Sequence, residues 1–196
     1  MEEKRLQAKD FITLGIYNVI FVFIMLVAGI TNLTPYTYLF YPFTGALLGS
    51  FVFLLALIKV PKKGTVILMS LGLIIYLFLT GVQGMVSAIS ILIFAVLAEF
   101  VLGDDRKNGK RIIIAYMIYS CWMAIGGEFR FFVFPDSYFT EALNSGLDPA
   151  YVEILRSMSI WWWWLISSGV GILGAFLGML LANCLLKKHL KRAGIV

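Results

Sequence analysis

The chain has 196 residues, of which 61% are hydrophobic and 14% charged, with a formal net charge of +5. A soluble domain is nearer half apolar and a quarter charged, so a soluble globular fold is excluded and a polytopic membrane protein is indicated, with room for one integral domain. The positive surplus does not point to nucleic acid, because it sits in short loops between long apolar stretches.

Those loops order the chain. Lys4, Arg5 and Lys9 come first, then Lys59, Lys62 and Lys63, then Arg106, Lys107, Lys110 and Arg111, and finally Lys187, Lys188, Lys191 and Arg192. Together they hold fourteen of the sixteen basic residues, and only Arg130 and Arg156 lie elsewhere. Short Lys/Arg-rich loops stay on the cytoplasmic side, so the chain must return to that side between clusters.

A transmembrane helix needs about 20 apolar residues to cross roughly 30 Å of hydrocarbon. The first predicted span covers about 11–30, after Asp10 as N-cap, and reads as a retained span because no small-residue cleavage site follows it. A turn from Thr31 to Pro35 leads to a second span, about 36–58, which stops at Pro61 and Gly64. Residues 64–103 carry one charge, Glu99, and would make about 60 Å of helix, twice the membrane. Both flanks are basic, so the run must fold back. Gly81-Val82-Gln83-Gly84 supplies the hairpin, giving spans near 65–80 and 85–102. After a solvated basic loop, a fifth span runs about 112–133.

Residues 134–159 are polar enough to leave the membrane. Asp136-Ser137 can cap a short helix that Asn144-Ser145-Gly146 ends, and Asp148-Pro149 reads as N-cap and first residue of another. A sixth span covers about 160–186. The expected fold is an all-α membrane protein: a six-transmembrane-helix bundle forming a single domain. Its N- and C-termini are cytoplasmic, and a helical extracytoplasmic loop joins helices five and six. Cys121 and Cys184 are expected to be buried free thiols.

Ionisable residues in hydrocarbon are costly and usually functional. None falls near the middle of a proposed span, which argues against autonomous ion coupling. The only histidine, His189, lies in the tail, and no HExxH, P-loop or GxSxG occurs, so neither catalytic nor metal residues nor a cofactor are expected. Glu99 is expected at the inner interface, near the adjoining basic loop.

Polar and aromatic residues gather in the outer half: Asn32, Tyr36, Tyr38 and Tyr41, then Thr80 and Gln83, then Ser120, Trp122, Glu128 and Arg130, and Trp161 to Trp164. Small-ligand sites combine an apolar or aromatic lining with a few placed polar groups. Asn32, Tyr36, Tyr41, Thr80, Gln83, Trp122, Glu128, Arg130 and Trp161 are therefore the expected ligand-binding residues. The four tryptophans point about 100° apart on a helix and fit an interfacial belt, with one of them turned inward. Glu128 and Arg130 are two apart, so pairing them needs distorted backbone, which Gly126-Gly127 permits. Gly45 and Gly49, and Gly174 and Gly178, are four apart. Such spacing lets helices approach closely, either within the bundle or against a separate membrane partner.

The order of these features resembles the Trep_Strep group of substrate-binding (S) components of energy-coupling factor transporters, over nearly the whole chain. The tail from Lys188 to Val196 is similar to that group's KHFKKAG-type ending. AEFVLGDDRKNGKRIIIAYMIYSCWMAIGG and FFVFPDSYFTEALNSGLDPAYVEILRSMS are similar to its basic loop, Gly-Gly pair and helical outer loop. Two features differ: the first span offers Gly15 without a clear second small residue, and Glu128-Phe129-Arg130 stands where the group tends to place Leu-Pro.

The resemblance implies a subunit of the bacterial plasma membrane that captures a vitamin-like micronutrient from outside. It would deliver this through a transmembrane T component and two ATPases. Gly15, Gly45, Gly49, Gly174 and Gly178 are the candidate partner-docking positions. A standalone small-molecule transporter is the alternative, as is a lipid-acting membrane enzyme built around Asp104-Asp105 beside Arg106.

Overall fold

The computed structural model describes residues 6–79 and 82–192, and for 82, 83 and 187–192 the backbone alone. Within these residues the chain is helical throughout, with no strand. The helices are α1 (Ala8–Ala28), α2 (Tyr41–Lys59), α3 (Thr65–Phe78), α4 (Val82–Leu102), α5 (Gly109–Ile125), α6 (Phe129–Val133), α7 (Pro135–Asn144), α8 (Pro149–Ser157) and α9 (Trp161–Arg192). Two 3₁₀ segments, Gly29–Leu33 and Pro35–Phe40, join α1 to α2, so regular α-helix resumes at Tyr41 and not at 36. Pro35 and Pro42 each open their segment, where a missing N–H costs nothing.

Among the described residues, four stretches are long and apolar enough to cross a membrane: Ala8–Leu33, Pro35–Lys59, Gly84–Leu102 and Trp161–Leu186. The 14 residues of α3 make about 21 Å of helix and the 17 of α5 about 26 Å, less than a full hydrocarbon crossing. Large apolar side chains such as Phe23, Ile93, Phe100 and Leu173 stand exposed on the bundle's outside. That is the arrangement of a protein whose solvent is lipid.

Helix α2 is central and touches α1, α3, α5 and α9. Its tight contact with α9 rests on glycine. A Cβ added at Gly178 would stand 2.7 Å from the Leu47 carbonyl oxygen, and one at Gly174 2.5 Å from that of Phe43. On the opposite side of α2, Gly45 faces Met123 and Gly49 faces Phe21, Met25 and Tyr116. The expectation that these four glycines dock a partner is therefore corrected: their surfaces are covered inside the bundle. Of the five candidate docking glycines, Gly15 alone has nothing within 4 Å of a would-be Cβ.

The loops bearing the basic clusters meet at one end. Asp10 sits in the first turn of α1 and not at its N-cap, which is Gln7. It accepts the Gln7 N–H at 2.8 Å and pairs with Lys62 at 2.7 Å. Gly64, at φ +87°, turns the chain from α2 into α3. As expected, Glu99 lies beside the basic loop: it accepts the Val66 N–H at the start of α3 at 2.7 Å and pairs with buried Arg106. Asn108 caps α5. Asp104, the residue of the lipid-enzyme alternative, forms an exposed ion pair with Lys63.

At the other end the fifth helix departs from expectation. It does not continue to 133 but stops at Ile125, and the Trp122 carbonyl accepts N–H groups from both Gly126 (2.8 Å) and Gly127 (2.9 Å). Gly126 lies against Ser90 of α4 so closely that any Cβ would overlap it, so tertiary packing selects glycine here. The short α6 follows. Helices α7 and α8 then form the expected pair, but α7 opens at Pro135 after Phe134, without the expected cap from Asp136 or Ser137; it ends before Gly146 (φ +87°), and α8 is started by Asp148, whose carboxylate accepts the Ala150 N–H at 2.9 Å. Leu39, Phe131, Phe139, Val152 and Leu155 make a small apolar core beneath them. Cys121 is half-buried and Cys184 exposed, so neither thiol is enclosed as expected; both are free.

Candidate functional site

Beneath α7 and α8 the ends of several elements converge on a partly enclosed cavity of about 260 Å³. Asn32 reaches it from the first 3₁₀ segment, Tyr38 from the second and Tyr41 from the start of α2. Leu77 closes α3, Gly84 and Ser87 come from the first turns of α4, and Trp122 and Met123 from the last turns of α5. Gly127 and Glu128 complete the lining at the break before α6. A larger depression on one face of α7 is open, lined by exposed side chains such as Asp136 and Glu141.

Three polar atoms on this lining are buried without a hydrogen-bond partner in the protein: Asn32 Oδ1, Trp122 Nε1 and Glu128 Oε2. Trp122 is 2% and Glu128 3% exposed. More than nine in ten buried polar groups in folded proteins are paired, and an unpaired one costs about 1–3 kcal/mol. Three such atoms on one cavity wall are not explained by packing, since an apolar lining would be more stable.

Each of the three is held in place. The doubled bond at the Trp122 carbonyl turns the chain so that Glu128 leaves the α5 axis. Its Oε1 lies 2.8 Å from the Ser167 hydroxyl of α9, which is also 3.1 Å from the Leu39 carbonyl. Trp122 is clamped among the buried side chains of the main core. Asn32 has its backbone carbonyl oxygen bound by the Tyr151 hydroxyl of α8 at 2.6 Å.

Tyr38 stacks on Phe131 with ring centroids 5.5 Å apart, and its hydroxyl meets that of Tyr138 on α7 at 2.7 Å. Burial raises the pKa of both Tyr138 and Tyr151 above the ordinary tyrosine value, which keeps both hydroxyls protonated. These two contacts stitch α7 and α8 to the segment that lines the cavity.

Of the residues expected to bind ligand, Asn32, Tyr41, Trp122 and Glu128 meet at this cavity. Three others lie elsewhere. Tyr36 is 68% exposed. Trp161 is also exposed and stacks on Trp162. Arg130 is buried but turned toward α7, with Nη2 3.0 Å from Ser137 Oγ and Nη1 2.7 Å from Glu141 Oε2. The distorted backbone at Gly126-Gly127 thus separates Glu128 from Arg130 instead of pairing them. Thr80 lies outside the described residues, and so does the Gln83 side chain.

The inward-turned tryptophan is Trp164, whose Nε1–H donates to the Ala124 carbonyl at 2.8 Å. Ser87, Leu77, Met123 and Ser167 escaped the sequence reading. A signal existed for Ser87: Gly84, Ser87, Ile91, Ala95, Ala98 and Leu102 recur at helical spacing and form one buried stripe of α4. Ser167 stands three residues after Trp164, so the two share a face of α9.

Fold and cavity together describe an all-helical integral membrane protein with a polar-lined chamber at the end away from its basic loops. The chain belongs to the Trep_Strep family of hypothetical bacterial integral membrane proteins, whose family model matches residues 8–192. No curated protein and no solved structure matches it.

Proposed function

We propose that this protein is the substrate-capturing S component of an energy-coupling factor importer in the bacterial cell membrane. The reading rests on one observation: three residues that each bury an unpartnered polar atom line a partly enclosed aromatic cavity at the end opposite the basic loops. Such atoms fit a ligand that completes their hydrogen bonds.

In this reading the chain crosses the membrane six times with both termini in the cytoplasm. The short α3 and α5 complete their crossings with the turns that follow them, and α7 and α8 roof the chamber on the outside. A micronutrient enters from outside and is passed inward once a T component and two ATPases engage the protein. The exposed face of α1 around Gly15 is the docking surface that the internal packing leaves open.

Two measurements test this. Reporter fusions at residues 108 and 145 should report opposite compartments. Co-expression with T and ATPase subunits should give a complex that survives purification, with a small molecule retained in the isolated protein and identified by mass spectrometry. Uptake in vesicles lacking any ATPase would instead establish a standalone transporter.

A further inference from the structure

Taking the cavity as the substrate site of the function proposed above, we infer that its ligand is a compact planar cation whose nitrogens donate hydrogen bonds to Glu128 and Asn32. An amidine or a protonated amino-heterocycle has the required form.

The first ground is charge. Among the described lining residues Glu128 is the one acid, and no lysine, arginine or histidine stands with it. The nearest cation in sequence, Arg130, is spent on Glu141 and Ser137. Ser167 reaches Oε1 alone, so Oε2 is buried with no donor from the protein on a residue that lines the chamber. A buried carboxylate is costly unless it is paired, and a cationic ligand supplies the missing partner. An anionic ligand would instead oppose ionisation of Glu128 and gain no partner from it.

Hydrogen-bonding pattern is the second ground. Asn32 Oδ1 is an acceptor and Trp122 Nε1–H a donor, so further N–H or O–H groups on the ligand would satisfy Asn32, and a ring lone pair, where the ligand carries one, would satisfy Trp122. The third is shape. The rings of Tyr38, Tyr41 and Trp122 line the chamber, and aromatic faces attract cations as well as stacking on planar groups. At about 260 Å³ the cavity lies below the usual range for drug-sized ligands, which suits a single ring system.

The test uses three probes of one size and shape: benzamidinium (cation), benzamide (neutral) and benzoate (anion). Binding to the purified full-length protein is measured by calorimetry. The inference expects benzamidinium to bind about tenfold tighter than benzamide, from a hydrogen bond to a charged group, with benzoate weakest. In Glu128→Gln, benzamidinium should fall to the affinity of benzamide. Should that variant not fold, the wild-type ranking decides alone. Equal affinities, benzoate as the tightest probe, or no binding of benzamidinium overturns the inference. A benzamidinium preference in a protein that forms no complex with T and ATPase subunits would remove the importer reading and keep the ligand class. A complex without that preference would do the reverse.

Discussion

The roof over the cavity is tied down by two hydrogen bonds whose removal has a calculable effect. Tyr138 bonds Tyr38 at 2.7 Å, and Tyr151 bonds the Asn32 carbonyl at 2.6 Å. The double variant Tyr138→Phe/Tyr151→Phe deletes both hydroxyls and keeps both rings. The apolar core of Leu39, Phe131, Phe139, Val152 and Leu155 is untouched. A neutral hydrogen bond contributes about 0.5–1.5 kcal/mol net, so the pair contributes about 1–3 kcal/mol to holding α7 and α8 closed. Local opening governs amide exchange, and the rate should rise roughly 5- to 150-fold across residues 135–157. Hydrogen–deuterium exchange read by mass spectrometry measures this directly, with α2 and α9 as internal references that should not change. The Asp136–Arg156 pair offers a control: it is mostly solvent-exposed, so Asp136→Asn should alter exchange less than the tyrosine pair does. Unchanged exchange over 135–157, or equal acceleration in α2 and α9, would refute the idea that these bonds hold a local roof.

Three other outcomes are expected. Because both tyrosine pKa values are raised on folding, their stabilisation is complete below the unfolded value of about 10. It should be lost only as pH rises through the folded values, so exchange over 135–157, corrected for intrinsic rate, should stay flat from pH 6 to 9. At the basic end, Arg106→Ala leaves Glu99 without its ion-pair partner and should cost about 3–5 kcal/mol in thermal unfolding in detergent. Lys63→Ala, in an exposed pair, should cost little. Gly178→Ala should destabilise by about 1–3 kcal/mol because its Cβ meets the α2 backbone. Gly15→Leu should melt like the parent protein while weakening co-purification with the T component.

Local signals carried well from sequence to structure. Pro61 and Gly64 stop α2, Asn144 to Gly146 ends α7, and Asp148-Pro149 starts α8, because each depends on a few neighbouring dihedrals and caps. What failed was whatever depends on which way a face points. The fifth helix reads as unbroken apolar sequence to 133, yet the close approach of Ser90 to Gly126 and the doubled bond at Trp122 end it early. The glycine pairs show the same difficulty. Small residues look alike whether they meet a helix of the same chain or of another, because lipid and core are equally apolar. Arg130 and Trp161 were assigned to the site by proximity in sequence, and the turn at Gly127 and the pitch of α9 send them elsewhere.

Unsatisfied atoms alone would not have located the site, and Arg106 shows why. Its Nε and Nη1 are also buried and unpartnered, but its charge is already met by Glu99 through Nη2, at a loop beside the basic end. Such an arrangement fixes one loop in place. Around Glu128 the circumstances differ in three respects: the carboxyl group has no cation, a donor and a second acceptor lie on residues of the same lining, and that lining bounds a measurable space. Packing can account for a single orphaned group on a neutralised charge. It does not account for a buried donor, a buried acceptor and an unpaired acid on three residues that line one chamber, each braced from behind by α9, the main core and α8. Stability is lowered there by groups that a ligand of the right charge would satisfy, which is the ground for proposing recognition at this end of the bundle.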